Sequence, residues 1–159
     1  MEQIKIKLDG GMMPKKATPY DAAYDVYVPE DTYIKKGRQV IDLKFCVELP
    51  HGFSAHIRAR SGYSLKGMEA MVVRYNGKTE RCRIDADLIT GVLDEKYREH
   101  VGAILNVHDI DGFYKQVYIE KGTRIAQMQI VAVPDTEMVQ VDELDMTYDR
   151  GGGFGHTNK

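Results

Sequence analysis

Along most of the chain, apolar and polar residues alternate with a period of two. Ile41, Leu43, Phe45, Val47 and Leu49 alternate with Asp42, Lys44, Cys46 and Glu48, the pattern of a strand with one buried face. Pro50-His51-Gly52 turns the chain, and Phe53, Ala55, Ile57 and Ala59 then alternate against Ser54, His56, Arg58 and Arg60. Tyr24, Val26 and Val28 predict an earlier strand that Pro29 ends. Tyr75-Asn76-Gly77-Lys78 predicts a type I′ hairpin turn between strands at Met71–Arg74 and Thr79–Ile84. Ala103–Val107, Gln116–Ile119, Ile125–Val133 and Glu137–Val141 supply further strands. Helical spacing is nearly absent: Ser61–Lys66 has room for one or two turns, and Glu95–His100 fits neither period. Many short strands punctuated by Gly and Pro predict an all-β barrel or sandwich.

Composition narrows the function classes. The chain has 159 residues, enough to bury a core as one domain without disulfide or metal staples. Its 22 basic and 24 acidic residues are interleaved and leave a net charge of −2. That balance argues against a nucleic-acid-binding face or a polybasic membrane patch. Cys46 and Cys82 form no CxxC pattern and are expected as free thiols of a reducing compartment, with neither a disulfide nor a metal site. The five histidines, at 51, 56, 100, 108 and 156, are scattered, and none is assigned to a metal. The N-terminal MEQIKIKLDGG carries no signal-like apolar run and no segment is long and apolar enough to span a bilayer. A soluble cytoplasmic protein is expected.

The candidate chemistry sits in five clusters. The last, Asp149-Arg150-Gly151-Gly152-Gly153-Phe154-Gly155, joins a cation, a glycine hinge and an aromatic ring. An arginine grips phosphate oxygens through paired charge-assisted hydrogen bonds, and a phenylalanine covers a planar ring. A disordered glycine-rich terminus is the alternative reading of the same residues. Upstream stand Ala22-Ala23-Tyr24-Asp25-Val26, Arg60-Ser61-Gly62-Tyr63-Ser64-Leu65-Lys66, Gly91-Val92-Leu93-Asp94-Glu95-Lys96-Tyr97-Arg98 and Gly122-Thr123-Arg124-Ile125-Ala126-Gln127. Arg60-Ser61-Gly62 ends an alternating strand at a helix start, where exposed amides suit phosphate and where a plain Ser N-cap is equally in place. Asp94 follows a short apolar stretch that could hold a carboxylate rigidly, or it opens an ordinary polar turn. Gln127 could donate to a phosphate oxygen while accepting from water, or face solvent with Gln129.

Five such clusters in this order, from about Ile4 to Thr157 and ending RGGGFG, resemble the trimeric dUTP pyrophosphatase (dUTPase) family. The resemblance implies a jelly-roll-like β-barrel, a homotrimer with three shared sites, and Mg²⁺-dependent hydrolysis of dUTP to dUMP and pyrophosphate. Asp94 is then the residue that orients and activates the attacking water. Asp25 stands near the metal's water shell, and Gln127 near the α-phosphate. Ser61 and the adjacent amides of Gly62 contact the phosphates, Arg60 supports the site, and Arg124 has a mainly structural or electrostatic role. Gly91, Val92 and Leu93 belong to a uracil-reading hairpin expected over Leu88–Leu93. Tyr97 packs on the deoxyribose and excludes a 2′-hydroxyl. Arg150 reaches the γ-phosphate and Phe154 stacks on uracil, with Gly155 and Thr157 completing the closing arm. No protein residue is expected to bind Mg²⁺ directly.

The match loosens in places. The interval from Arg60 to Asp94 is longer than the family pattern, which marks residues 69–86 as an insert, expected as a decoration able to dock a regulatory protein. Glu99 stands where glycine is usual and His156 where serine is usual. Residues 1–148 are expected as the β domain and 149–159 as a flexible arm. A dCTP deaminase or bifunctional relative, and a nucleotide-sensing binding module, remain the other readings.

Overall fold

The computed structural model describes residues 2–110, 112 and 114–148. Twelve strands and one short helix form an all-β, barrel-like jelly roll in which every strand pairing is antiparallel. A six-stranded sheet has the order β3 (Thr32–Tyr33), β11 (Gln116–Ile119), β7 (Met68–Val73), β8 (Thr79–Ile89), β10 (Gly102–Asp109), β4 (Gly37–Asp42). A four-stranded sheet has the order β2 (Tyr24–Tyr27), β12 (Arg124–Ala132), β6 (Phe53–Arg58), β9 (Gly91–Leu93). β1 (Lys5–Leu8) pairs with β5 (Phe45–Glu48) alone. The helix α1, Ser61–Lys66, links β6 to β7. Among the described residues no helix is long and apolar enough to cross a membrane.

One apolar core lies between the sheets, and its largest fully buried side chains include Phe45, Leu43, Ile57, Met68, Leu105, Ile125 and Met128. Each contributes roughly 1.5–3 kcal/mol by leaving water. The alternating run Ile41–Leu49 does bury its odd members, yet it is two strands in two sheets. The break falls at Lys44, the one described non-glycine residue with positive φ, at 52°. Its N–H donates to Asp42 Oδ1 at 2.8 Å and its carbonyl accepts from the N–H groups of Asp9 and Gly11. Alternation records which face is buried. It does not record which strand lies alongside.

Three other expectations are corrected. The Arg74–Lys78 connection is not type I′, because only Gly77 has positive φ, at 82°. Gly77 N–H donates to the Arg74 carbonyl, giving a type I turn followed by a left-handed glycine. Leu88–Leu93 is not a hairpin: β8 lies in the six-stranded sheet and β9 pairs with β6, so the chain crosses between sheets at Thr90. Glu137–Val141 forms no strand; Met138, Val139 and Val141 are exposed, with no neighbouring strand to complete their alternation. Residues 69–86 form most of β7 and β8 in the interior of the larger sheet, and Ala70, Val72, Ile84 and Ala86 are core residues. Glu95–His100 is irregular.

Candidate active site

Asp25 and Gln127 are direct cross-strand partners on β2 and β12, and Gln127 also faces Arg58 of β6. Gln127 Nε2 donates to Asp25 Oδ1 at 3.3 Å, and Arg124 Nη1 donates to Asp25 Oδ2 at 3.4 Å. Arg124 and Gln127 are three residues apart, so a regular strand would send them to opposite faces. A register shift between Arg124 and Ala126 prevents this: Ile125 and Ala126 are consecutive buried residues, and the bulge turns both polar side chains toward Asp25.

Arg60 adds a third contact. Its Nε lies 3.2 Å from Asp25 Oδ1 but makes no hydrogen bond there, although it is shielded from water. The Tyr63 ring lies 5.7 Å from the centre of the Arg60 guanidinium and backs it. Burial pushes the Tyr63 phenol pKa up, so this ring stays neutral. Asp25, at 7 % exposed, is thus a buried carboxylate anchoring two arginines. Arg60 is the extended residue before α1, and its carbonyl accepts the N–H groups of Tyr63 and Ser64. Ser61 is the first helical residue and not the cap, so its exposed hydroxyl makes no capping bond. Gly67 ends the helix with φ 78°, where a Cβ would lie 2.7 Å from the Ile84 carbonyl oxygen.

Arg60, Ser61, Tyr63, Arg124 and Gln127 line an open cleft of about 470 Å³. Arg60, Lys66, Arg81, Arg83, Lys121 and Arg124 contribute six cations to its walls, against the two carboxylates Glu69 and Glu120. Such a surface attracts a polyanion. Arg83 is held by Glu69 at 2.8 Å and Arg81 by Glu120 at 2.7 Å. The motifs did not point to Arg81, Arg83, Glu69, Glu120 or Lys121 as cleft residues. The only signal for the first two was the charged run after Asn76-Gly77, whose alternate members face the cleft.

The other predicted residues stand apart. Leu93 pairs with Ala55 and Gly91 with Ile57, so Asp94 lies near the start of β6 while Arg60 lies beyond its end. Six residues of nearly extended chain separate the two levels, on the order of 20 Å. Asp94 is exposed, and its carbonyl accepts the Tyr97 N–H in a tight turn. Tyr97 packs on the core edge, and its hydroxyl donates to the His100 carbonyl at 2.8 Å. Glu95 fastens this turn to the preceding one: its Oε2 accepts the Gly52 N–H at 3.0 Å and lies 3.0 Å from His51 Nδ1. The Gly52 N–H, followed by His51, holds the Glu95 carboxyl below its usual pKa range. Val92 is exposed and Gly91 half-buried on β9. Arg150, Phe154, Gly155, Thr157 and the departure at His156 lie outside the described residues.

Comparison with known proteins agrees with this arrangement. The family model described as dUTPase matches residues 9–158. A deoxyuridine 5'-triphosphate nucleotidohydrolase of Hydrogenobaculum sp. is 33% identical over 97% of this chain and 95% of its own length. The enzyme of the same name from Clostridium tetani is also 33% identical, over 99% and 96% respectively. Among solved structures, the Staphylococcus bacteriophage 80alpha dUTPase with dUpNHpp superposes with a TM-score of 0.78 at 25% identity, covering all of both chains. The chain with the cationic cleft, the bulged Arg124–Gln127 strand and the Asp94 turn belongs to the dUTPase family.

Proposed function

We infer that the chain hydrolyses dUTP to dUMP and pyrophosphate. The observation that carries the reading is the convergence of Arg60, Arg124 and Gln127, which line a cationic cleft, on the buried Asp25 behind them. The cleft's six cations outnumber the carboxylates of Glu69, Glu120 and the adjoining Asp25, which suits a polyanionic nucleoside triphosphate. Arg60, Ser61 and Arg124 bind its phosphates, and Gln127 orients the α-phosphate. Asp94 accepts the proton of the attacking water, and Tyr97 excludes a ribose 2′-hydroxyl by its bulk.

Mg²⁺ fits this cleft as a companion of the substrate. Both Asp25 oxygens already face Arg60, Arg124 and Gln127, so Asp25 offers no vacant oxygen cage. Mg²⁺ would be held by the substrate phosphates and waters and would supply charge neutralisation for the leaving pyrophosphate, while Asp25 holds Arg60 and Arg124 in place.

The site is shared between copies of the chain in a homotrimer. Two observations support this: Asp94 and Tyr97 lie about 20 Å along β6 from Arg60, and Val139, Val141, Leu144 and Met146 are exposed apolar residues of an unpaired segment. The arm 149–159 follows that segment and closes with Arg150 on the γ-phosphate and Phe154 over uracil. The similar Hydrogenobaculum and Clostridium tetani proteins are named deoxyuridine 5'-triphosphate nucleotidohydrolases, which disfavours the deaminase reading. The 69–86 region presents the exposed Tyr75–Thr79 tip as the surface for a regulatory protein.

Pyrophosphate release from dUTP, UTP, dTTP and dCTP, with Mg²⁺ or with EDTA, tests the reaction. Mg²⁺-dependent release from dUTP alone is expected, and a folded protein inert toward dUTP refutes the reading. Refolding a mixture of Asp94→Asn and Ser61→Ala chains tests the sharing. Recovered turnover is expected from mixed trimers, and none if each chain builds its site alone.

A further inference from the structure

Three segments distant in sequence bring together an oxygen, a sulfur and a nitrogen donor, close to the turn of Tyr97, whose hydroxyl donates to the His100 carbonyl. Asp9 follows β1, Cys46 lies on β5 and His100 precedes β10. One donor atom from each lies within 4.8 Å of the others. Asp9 Oδ2 is 3.3 Å from His100 Nε2 and 3.9 Å from Cys46 Sγ. A tetrahedral zinc ion with bonds of about 2.0–2.3 Å requires ligand-to-ligand edges of about 3.4–3.6 Å. Two observed edges fall within a few tenths of an ångström of that range.

The backbone fixes the triangle. Asp9 N–H donates to the Lys44 carbonyl at 2.9 Å, and Val101 N–H donates to the Phe45 carbonyl at 2.8 Å, so both flanking ligands are tied to the strand that carries Cys46. The His100 ring is also aimed. Its Nδ1 lies 3.0 Å from Asp42 Oδ2, leaving Nε2 to face Asp9 and Cys46. A carboxylate on the far ring nitrogen is the arrangement that orients metal-binding imidazoles.

We propose that Asp9, Cys46 and His100 form a zinc site, with Asp42 orienting the histidine and water as the fourth ligand. Nitrogen and thiolate donors select zinc over Mg²⁺, so this site is separate from the metal that accompanies the substrate. Binding releases the Cys46 thiol proton, and any proton on His100 Nε2, to solvent. Lys7 Nζ, now 2.9 Å from Asp9 Oδ2, must swing aside or share that carboxylate. The ion would clamp β1, whose one strand partner among the described residues is β5, to both β5 and the β10 loop.

The test is equilibrium dialysis of the full chain against ZnCl₂ after removal of metals, with zinc counted per chain. One zinc per chain is expected, lost in Cys46→Ser and His100→Gln, kept in Cys82→Ser, and weakened roughly 10- to 100-fold in Asp42→Asn. At a hundredfold excess over its dissociation constant, zinc should raise the wild-type melting temperature by roughly 5–10 °C and leave Cys46→Ser unmoved. Co²⁺ should give thiolate charge-transfer and tetrahedral visible bands that Cys46→Ser abolishes. Absence of zinc in the wild type, or zinc content unchanged by both ligand substitutions, overturns the proposal.

Discussion

Asp25→Asn tests whether the buried carboxylate organises the phosphate cleft. The substitution preserves shape, removes the charge, and turns one acceptor into a donor facing Gln127 Nε2 or a guanidinium. Removing one member of a well-buried ion pair costs about 3–5 kcal/mol, and a single hydrogen bond to a charged group is worth about 1.5–3 kcal/mol. Three features lower the figure here. The contacts, at 3.2–3.4 Å, are long for charged pairs. Arg60 Nε lacks hydrogen-bond geometry. The Arg124 side chain is 51% exposed, so water replaces much of what it loses. A loss of about 2–3 kcal/mol follows, mostly from Arg60 and Gln127, which lowers the melting temperature by roughly 4–12 °C for a chain of this size.

Turnover should suffer more than the fold, because arginines freed by even about 1 Å misplace the phosphates and cost about 100-fold in kcat/KM. Calorimetric melting and initial rates of pyrophosphate release measure both quantities. A second variant isolates the charge: Asp25→Asn with Gln127→Glu moves the carboxylate across the same strand pair. It should recover part of the lost stability without recovering turnover. Asp25→Asn with wild-type melting and wild-type kcat/KM would refute the reasoning. So would a swap variant less stable than the single substitution, since the deficit would then not be one of charge.

Glu95→Ala unfastens the Asp94 turn from Gly52, so kcat/KM should fall while the circular dichroism spectrum is unchanged. Because the folded-state pKa of Glu95 is depressed, its stabilisation is present above the ordinary glutamate range and fades as pH falls through the folded value; the melting difference between wild type and variant should close in acid. His108 has the opposite sign: the Asp87 carboxylate, 2.7 Å from Nε2, raises its pKa. Its stabilisation is present below the ordinary histidine value and is lost as pH rises through the raised one, and NMR titration should show His108 returning to an ordinary value in Asp87→Asn. Gly67→Ala should cost about 1–3 kcal/mol in a denaturant melt, because a side chain is strained at φ 78° and its Cβ meets the Ile84 carbonyl.

The period-two pattern made the core legible: Ile41, Leu43, Phe45, Val47 and Leu49 are all buried as alternation predicts. Pairing was not legible, because a kink at Lys44 preserves the inward face while sending the two halves to different sheets. The same limit governed the site. The clusters of Arg60 and Gln127 were readable one at a time from side-chain chemistry, the roles of Asp25 and Arg124 only through the family resemblance, and the fold joins the four. What joins them is a bulge at Ile125, whose trace in the sequence is a lapse in alternation between Ile125 and Met128. Asp94 was readable as a fixed carboxylate and Tyr97 through the family resemblance, yet β9 pairs with residues 55–57 of β6 and carries Asp94 toward the start of that strand, away from the arginines. That pairing is antiparallel and in continuous register, so no side-chain rotation carries Asp94 across the gap. If the water-activating carboxylate and the phosphate cleft act on one substrate, the carboxylate must come from another copy of the chain. Assembly is then a requirement of the chemistry.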